Sequence, residues 1–209
     1  MSLARDLWAA NKDWADRILA NRFVQGLGDG TLSVDDFKRY VAQDAYFLEA
    51  FARAYAFCLA HGKDRDDLHG FAGLIQGVLE ELKLHKGHAE RWQVDLAGVT
   101  PIAATSAYVD FLLGVAQTGN LGETIAGMTP CMRLYAWLGR TLAKATVSER
   151  YGEWVKTYAD PGFEGLAVRL EELLDRHAAD TPAVRANYRR AMELEHGFFD
   201  ANLTAKPSS

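Results

Sequence analysis

The chain has 209 residues, a formal net charge of −5 and a hydrophobic content of 49%. That length suits one large domain and is short for two with a linker, and the acidic balance argues against a phosphate-backbone binder, which needs a basic face. No apolar stretch reaches the ~20 residues of a membrane span, the start Met1-Ser2-Leu3-Ala4-Arg5-Asp6 lacks the basic and apolar regions of a signal peptide, and two cysteines, Cys58 and Cys131, make no disulfide framework, so the expected setting is a reducing cytoplasm with neither membrane nor nucleic acid as partner.

Helical periodicity dominates, and no segment sustains period-2 alternation. From about Leu3 to Val24, Leu7, Trp14, Ile18, Leu19 and Phe23 share one broad stripe, and Gly28-Asp29-Gly30 reads as the turn that follows. Ser33 with Asp36 three residues on resembles a capping box and opens a second helix to about Leu59. A third is expected from about Asp67 to Leu96, and a fourth from about Ser106 to Gln117. The region around Cys131 gives a fifth, ending near Lys144; Ser148 caps a short sixth that stops before Pro161-Gly162. A seventh covers about Gly165 to His177, and Thr181-Pro182 starts the last, running to about Leu203. The expected fold is an all-α, single-domain helical bundle over residues 1–204, with residues 205–209 as a disordered tail.

Cys131 follows Thr129-Pro130, a pair that often begins a helix: a hydroxyl at the N-cap and a proline at the first helical position. In that geometry the thiol sits in the first turn, where the helix dipole favours a nucleophilic thiolate. The alternative is one long helix kinked at Pro130, which frees the carbonyl of Ala126 beside the cysteine. A third reading makes Cys131 a small buried hydrophobe.

Other helices offer polar groups on apolar stripes. Asp44 shares a face with Phe47, Leu48, Phe51 and Tyr55, so it either finds a partner or ligand or lies solvated at the edge. Tyr108 falls in an apolar run with Phe111 and Leu112; Glu195 precedes Phe198 and Phe199; Tyr158 closes the sixth helix. Glu81, His85 and His88, at i, i+4 and i+7, could ligate a metal, and a solvated face explains them equally well.

Read together, these positions resemble the TenA family, the thiaminase II group of the haem-oxygenase-like helical folds. The resemblance runs through Phe23-Val24, Gly30-Thr31-Leu32, Phe37, Tyr40, Gln43-Asp44 and Tyr46, then Glu81-Leu82-Lys83-Leu84-His85, Tyr108, Pro130-Cys131 and Tyr135. It closes with Trp154, Tyr158, Phe163, Glu195 and Phe198. It implies a hydrolase that cleaves the C5-methylene substituent of 4-amino-2-methylpyrimidines, aminomethylpyrimidine or thiamine, to the hydroxymethylpyrimidine used in thiamine salvage. It further implies Cys131 as nucleophile, Asp44 at the 4-amino group and ring nitrogen, and Glu195 at the opposite ring nitrogen. Phe47, Tyr108, Tyr135, Tyr158 and Phe198 would form an aromatic pocket, with no metal or organic cofactor and a homotetrameric assembly. Phe47 stands where many relatives have tyrosine, and Met132-Arg133-Leu134 and Phe199 also depart from the common pattern, which bears on the preferred substrate. The competing functions are a di-iron oxidase or oxygenase using Glu81 with His85 or His88, and a non-catalytic regulatory protein.

Overall fold

The computed structural model describes residues 2–145 and 147–204, the side chain of His88 excepted. Among these the chain is helical, without strands: α1 (Leu3–Ala10), α2 (Lys12–Leu19), α3 (Arg22–Asp29), α4 (Val34–His61), α5 (Arg65–Trp92), α6 (Ala103–Gln117), α7 (Leu121–Leu142), α8 (Gly152–Ala159), α9 (Pro161–His177) and α10 (Pro182–Ala201). The expected disordered tail at 205–209 lies outside the described residues.

Local chemistry places most boundaries. The Ser33 hydroxyl accepts from the Asp36 N–H at 3.0 Å and opens α4. The Asp64 carboxylate accepts from the N–H groups of Asp66 and Asp67 and opens α5 two residues before the expected start. Gln93, in the left-handed region at φ 54°, ends α5 ahead of the expected Leu96. Thr181 and Pro182 cap α10 as the sequence suggested.

Four expectations fail for identifiable reasons. The first stripe is three helices rather than one: the chain breaks at Asn11, whose side-chain amide donates to the Leu7 carbonyl at 2.9 Å, and again at Asn21, whose carbonyl oxygen caps α3. Ser148 does not open α8. Its N–H donates to the Gly28 carbonyl at 2.9 Å, tying the α7–α8 connection to the end of α3. α8 ends at Ala159, before Pro161-Gly162 as expected, but the next helix starts at Pro161 rather than near Gly165, because the Asp160 carboxylate accepts from the Gly162 N–H at 2.7 Å with proline at the first helical position. Finally, of the two readings of Thr129-Pro130 the helix start fails and the long continuous helix holds, since the pair lies inside α7.

α7 is the central rod, buried at most positions from Leu121 to Leu142. It packs against α8, α9 and α10, while α4 packs on α5 and α6. Gly139 allows the closest approach: a β-carbon there would stand 2.4 Å from the Tyr158 carbonyl carbon, so α8 lies directly on the α7 backbone. Arg133, two residues beyond Cys131, points to α9, where it makes a two-pronged contact with Glu171 at 2.7 and 2.6 Å and a third bond to Glu164 at 2.8 Å. This arginine clamps helices together, which removes the expectation that it shapes substrate choice directly. No helix among the described residues is long and apolar enough to cross a membrane.

Candidate active site

Cys131 is not in the first turn of a helix, so the dipole argument for a resting thiolate falls away. The alternative of one long helix running through Pro130 is the one the structure adopts. Pro130 has no N–H for the Ala126 carbonyl, and the Thr129 hydroxyl turns back to the Ile125 carbonyl at 2.8 Å. Burial, with the charges of Glu195, Glu81 and Asp44 close by, pushes the Cys131 thiol well above its usual range. Of the charged groups bearing on the thiol, the Glu195 carboxyl on α10 acts most strongly. A group able to take its proton therefore belongs to the same buried region.

Glu195 is buried, and its Oε1 accepts from the Tyr108 hydroxyl on α6 at 2.8 Å. Burial pushes its carboxyl up to about 8; the bonds from Tyr108 and Cys131 pull down and the charge of Asp44 pushes further up. Near neutrality this group exchanges a proton easily in either direction.

Asp44 is not solvated at an edge. It is 3% exposed on α4, and its Oδ2 accepts from His85 Nε2 on α5 at 2.6 Å. The other ring nitrogen, Nδ1, faces the Glu81 carbonyl at 3.0 Å. Both nitrogens thus point at acceptors, so both carry hydrogen and the ring is an imidazolium. Burial alone would lower its pKa, but the bond and charge of Asp44 outweigh that, with Glu81 assisting, and raise it to about 9. Glu81 is half-buried: the Tyr158 hydroxyl donates to its Oε1 at 2.6 Å, and desolvation lifts its carboxyl to about 7 against the pull of His85. The face expected to be solvated therefore turns inward at Glu81 and His85; the side chain of His88 lies outside the described residues.

The aromatic residues complete the enclosure. Phe47 packs on Tyr108 with ring centroids 4.5 Å apart and on Phe198 at 6.1 Å. Tyr135 meets Tyr158 edge-on at 4.8 Å and stacks on Phe199 at 5.7 Å. The charges of Asp44, Glu195 and Cys131 all bear on the Tyr135 hydroxyl, which lies between the two polar clusters. All eight residues singled out from the sequence thus meet in one buried region, drawn from α4, α6, α7, α8 and α10.

The sequence reading missed several members. Tyr40 links the lining to Trp154, whose Nε1 donates to the Tyr40 hydroxyl at 3.1 Å. The Tyr55 hydroxyl is buried near Cys131 and has no hydrogen-bond partner among the described residues. Its stripe position was visible, but nothing in the sequence marked its hydroxyl as free.

Asp44, Glu81 and His85 offer ligand atoms within 4.8 Å of one another, the one such group among the described residues. The donor set fits a metal poorly. At 2.6 Å the Asp44–His85 contact is a hydrogen bond, and a metal there would first have to displace the bridging proton and push the two groups apart. A dinuclear centre would also need further carboxylates from facing helices, and Glu195 is engaged with Tyr108.

These protonation states fix a pH dependence. His85, Glu81 and Glu195 all have folded-state values above their ordinary ones, at about 9, 7 and 8. The folded protein therefore holds more protons than the unfolded chain across the upper half of the pH range. The His85 contribution is complete below the ordinary histidine value and is lost as pH rises through about 9. Stability should fall between pH 6 and 9, as followed by urea midpoints; a flat profile there would contradict the pairing of His85 with Asp44.

Three comparisons bear on this arrangement. The family model described as the TENA/THI-4/PQQC family matches residues 8–205. An aminopyrimidine aminohydrolase of Halalkalibacterium halodurans is 34% identical over 96% of this chain and 95% of its own length. The mitochondrial bifunctional TH2 protein of Arabidopsis thaliana is 32% identical over 89% of this chain, which spans only 35% of that larger protein. Among solved structures, one described as a TenA family transcription regulator, from Silicibacter sp. TM1040, superposes with a TM-score of 0.91 at 27% identity, covering 98% of each chain.

Proposed function

This chain belongs to the TENA/THI-4/PQQC family, and on that basis we propose that it is an aminopyrimidine hydrolase of thiamine salvage. Its substrate is a 4-amino-2-methylpyrimidine whose C5-methylene substituent, an amine or a thiazolium, is exchanged for hydroxyl. The observation that carries the reading is the burial of Cys131 and Glu195 in the same region as the Asp44–His85 pair, with the carboxyls bearing on the thiol. In this scheme Glu195 takes the thiol proton as Cys131 Sγ bonds to ring C6, and passes it to the adjacent ring nitrogen N1. The adduct's electrons then expel the C5 substituent, water adds to the exocyclic methylene, and reversal of the first step frees the cysteine.

Asp44 holds the amino end of the ring. Its Oδ2 is taken by His85, while Oδ1 makes no hydrogen bond among the described residues and is free to accept from the 4-amino group. Asp44→Asn should raise KM and lower kcat together, for a loss of about 10- to 100-fold in kcat/KM, the worth of one hydrogen bond to a charged group. The variant should also lose the His85 part of the pH-dependent stability. Unchanged kinetics would remove Asp44 from the binding site.

The same reading takes residues 1–204 as one domain and the assembly as a homotetramer. The exposed side chains of Leu68, Leu79 and Leu84 on α5 and Val168 on α9 support self-association, which light scattering measures. The deciding experiment incubates purified protein with 5-aminomethyl-2-methyl-4-aminopyrimidine and with thiamine and follows the hydroxymethylpyrimidine by chromatography. Product from either compound supports the hydrolase. Inertness towards both, together with stoichiometric iron or manganese in the protein, would favour the oxidase alternative.

A further inference from the structure

Hydrolysis of an aminomethyl group leaves a chemical requirement unmet by Cys131, Glu195 and Asp44. When the bond from the methylene to nitrogen breaks, its electron pair stays on nitrogen, and an amide ion is far too basic to depart. When the group is bound as the neutral amine rather than the ammonium, a proton must arrive there during cleavage. Around the pyrimidine the order is N1, C6, C5 and C4, so the leaving group at C5 sits between the carbon facing Cys131 and the amino group facing Asp44. The acid sought must therefore lie beside both residues, on the side away from Glu195.

Glu81 lies beside both. Its carboxyl belongs to the same cluster as Asp44 and His85, within 4.8 Å, and its charge bears on the Cys131 thiol more strongly than that of Asp44 does. Tyr158 donates to its Oε1 at 2.6 Å, which aims one oxygen and leaves the other available to hold a proton. It is also the carboxylate in the chamber with a route out. Asp44 and Glu195 are buried, whereas Glu81 is half-buried. With Leu84 and Thr157 it lines both the inner cleft shared with Tyr40 and His85 and an outer groove that runs past Lys156 and Phe163. A small amine released at Glu81 would face that groove.

We infer that Glu81 is the catalytic acid that protonates the departing amine, with the groove between α5 and α8 as the exit path. The inference rests on the aminopyrimidine hydrolase reading above. The balance is complete within the site. The Glu81 carboxyl gives its proton to the nitrogen as the carbon–nitrogen bond breaks, so the group leaves as neutral ammonia. The resulting carboxylate then takes a proton from the water whose oxygen bonds to the methylene, and Glu81 is restored. The value of about 7 that burial gives this carboxyl populates both forms near neutrality, as the two half-steps need. His85 and Tyr158, which hold the neighbouring carboxylate and the aimed oxygen, are positioning residues for this step.

The test uses two leaving groups on one pyrimidine. A thiazolium departs as a neutral thiazole and needs no proton, so with thiamine Glu81 serves only the water step. Glu81→Gln should therefore lower kcat for the aminomethyl compound by about 10²-fold or more, and lower the ratio of aminomethyl to thiamine turnover by at least about 10-fold. Glu81→Asp, which keeps an acid one methylene further back, should recover part of that ratio. Residual thiamine turnover in either variant shows that the fold and the Cys131–Glu195 pair survive. Equal losses on both compounds, or no loss on the aminomethyl compound, would overturn the assignment. Wild-type protein inert towards both would sink the hydrolase reading itself, and the role of Glu81 with it.

Discussion

Cys131→Ser is expected to lower turnover by about 10³-fold or more while the thermal midpoint stays close to that of the wild type. A serine hydroxyl fits the space of the thiol and can donate to Glu195, so packing around α7 changes little. What is lost is nucleophilicity: the alcohol gives up its proton far less readily, and Glu195 is too weak a base to remove it. The environment sharpens the contrast. The thiol is already pushed above its usual range by burial and three nearby carboxyls, so reaction depends on proton transfer to a nearby base rather than on a standing thiolate. Alkylation of Cys131 by iodoacetamide should accordingly be slow at neutral pH and quicken with rising pH. Cys58 supplies the control. It is buried on α4, burial lifts its thiol to about 12, and among the described residues no carboxylate or histidine shifts it. Cys58→Ser should leave kcat within about two-fold of wild type, since it lies outside the reacting groups. Comparable losses from both substitutions, measured with the fold verified by circular dichroism, would end the assignment of Cys131 as nucleophile.

The placement of Cys131 also marks where sequence patterns stopped being informative. Thr181-Pro182 and Thr129-Pro130 are the same dipeptide, and the first begins a helix while the second lies inside one. The difference is tertiary. The residues before Thr181 are a connection, whereas those before Thr129 are buried from Leu121 onward against α6 and α10, and that packing outweighs one missing backbone bond. The breaks at Asn11 and Asn21 were hidden for a related reason, because the apolar stripe continues nearly in phase across them and periodicity registers no interruption. The caps at Ser33 and Thr181 were legible because their chemistry is local, a side-chain oxygen and an N–H three residues apart.

The site divides along the same line. Aromatic stripes around Asp44 and Glu195 were visible, since each lies on one helix. The inward turn of Glu81 and His85 was not, because it depends on a partner 41 residues away on α4. Interleaved with Leu82, Lys83 and Lys86, these residues have the spacing of a solvated face, and only the Asp44 carboxylate and the Tyr158 hydroxyl make their burial tolerable. The family resemblance carried the segment Glu81 to His85 as a motif without saying what it does.

Glu195→Gln should lower kcat by about 10²- to 10⁴-fold with little change in substrate affinity, the usual worth of a positioned acid–base group. The amide is isosteric, and its oxygen can still accept from Tyr108, so the 2.8 Å bond between α6 and α10 should persist. Its NH₂ can also still meet a ring nitrogen, which preserves binding. What the amide cannot do is receive the Cys131 proton and deliver it to that nitrogen, so addition of the thiol is left without a partner. Two further consequences separate this role from a structural one. Removing a carboxyl held at about 8 takes away its share of the fall in stability at alkaline pH, so the variant should be relatively more stable than wild type above pH 8. The alkylation rate of Cys131 should also lose the part of its pH dependence set by Glu195. A variant that keeps wild-type kcat would show that the thiol reacts without this carboxylate. A variant that loses activity through KM alone would make Glu195 a binding group, and the proton path drawn from Cys131 to the ring would have to run elsewhere.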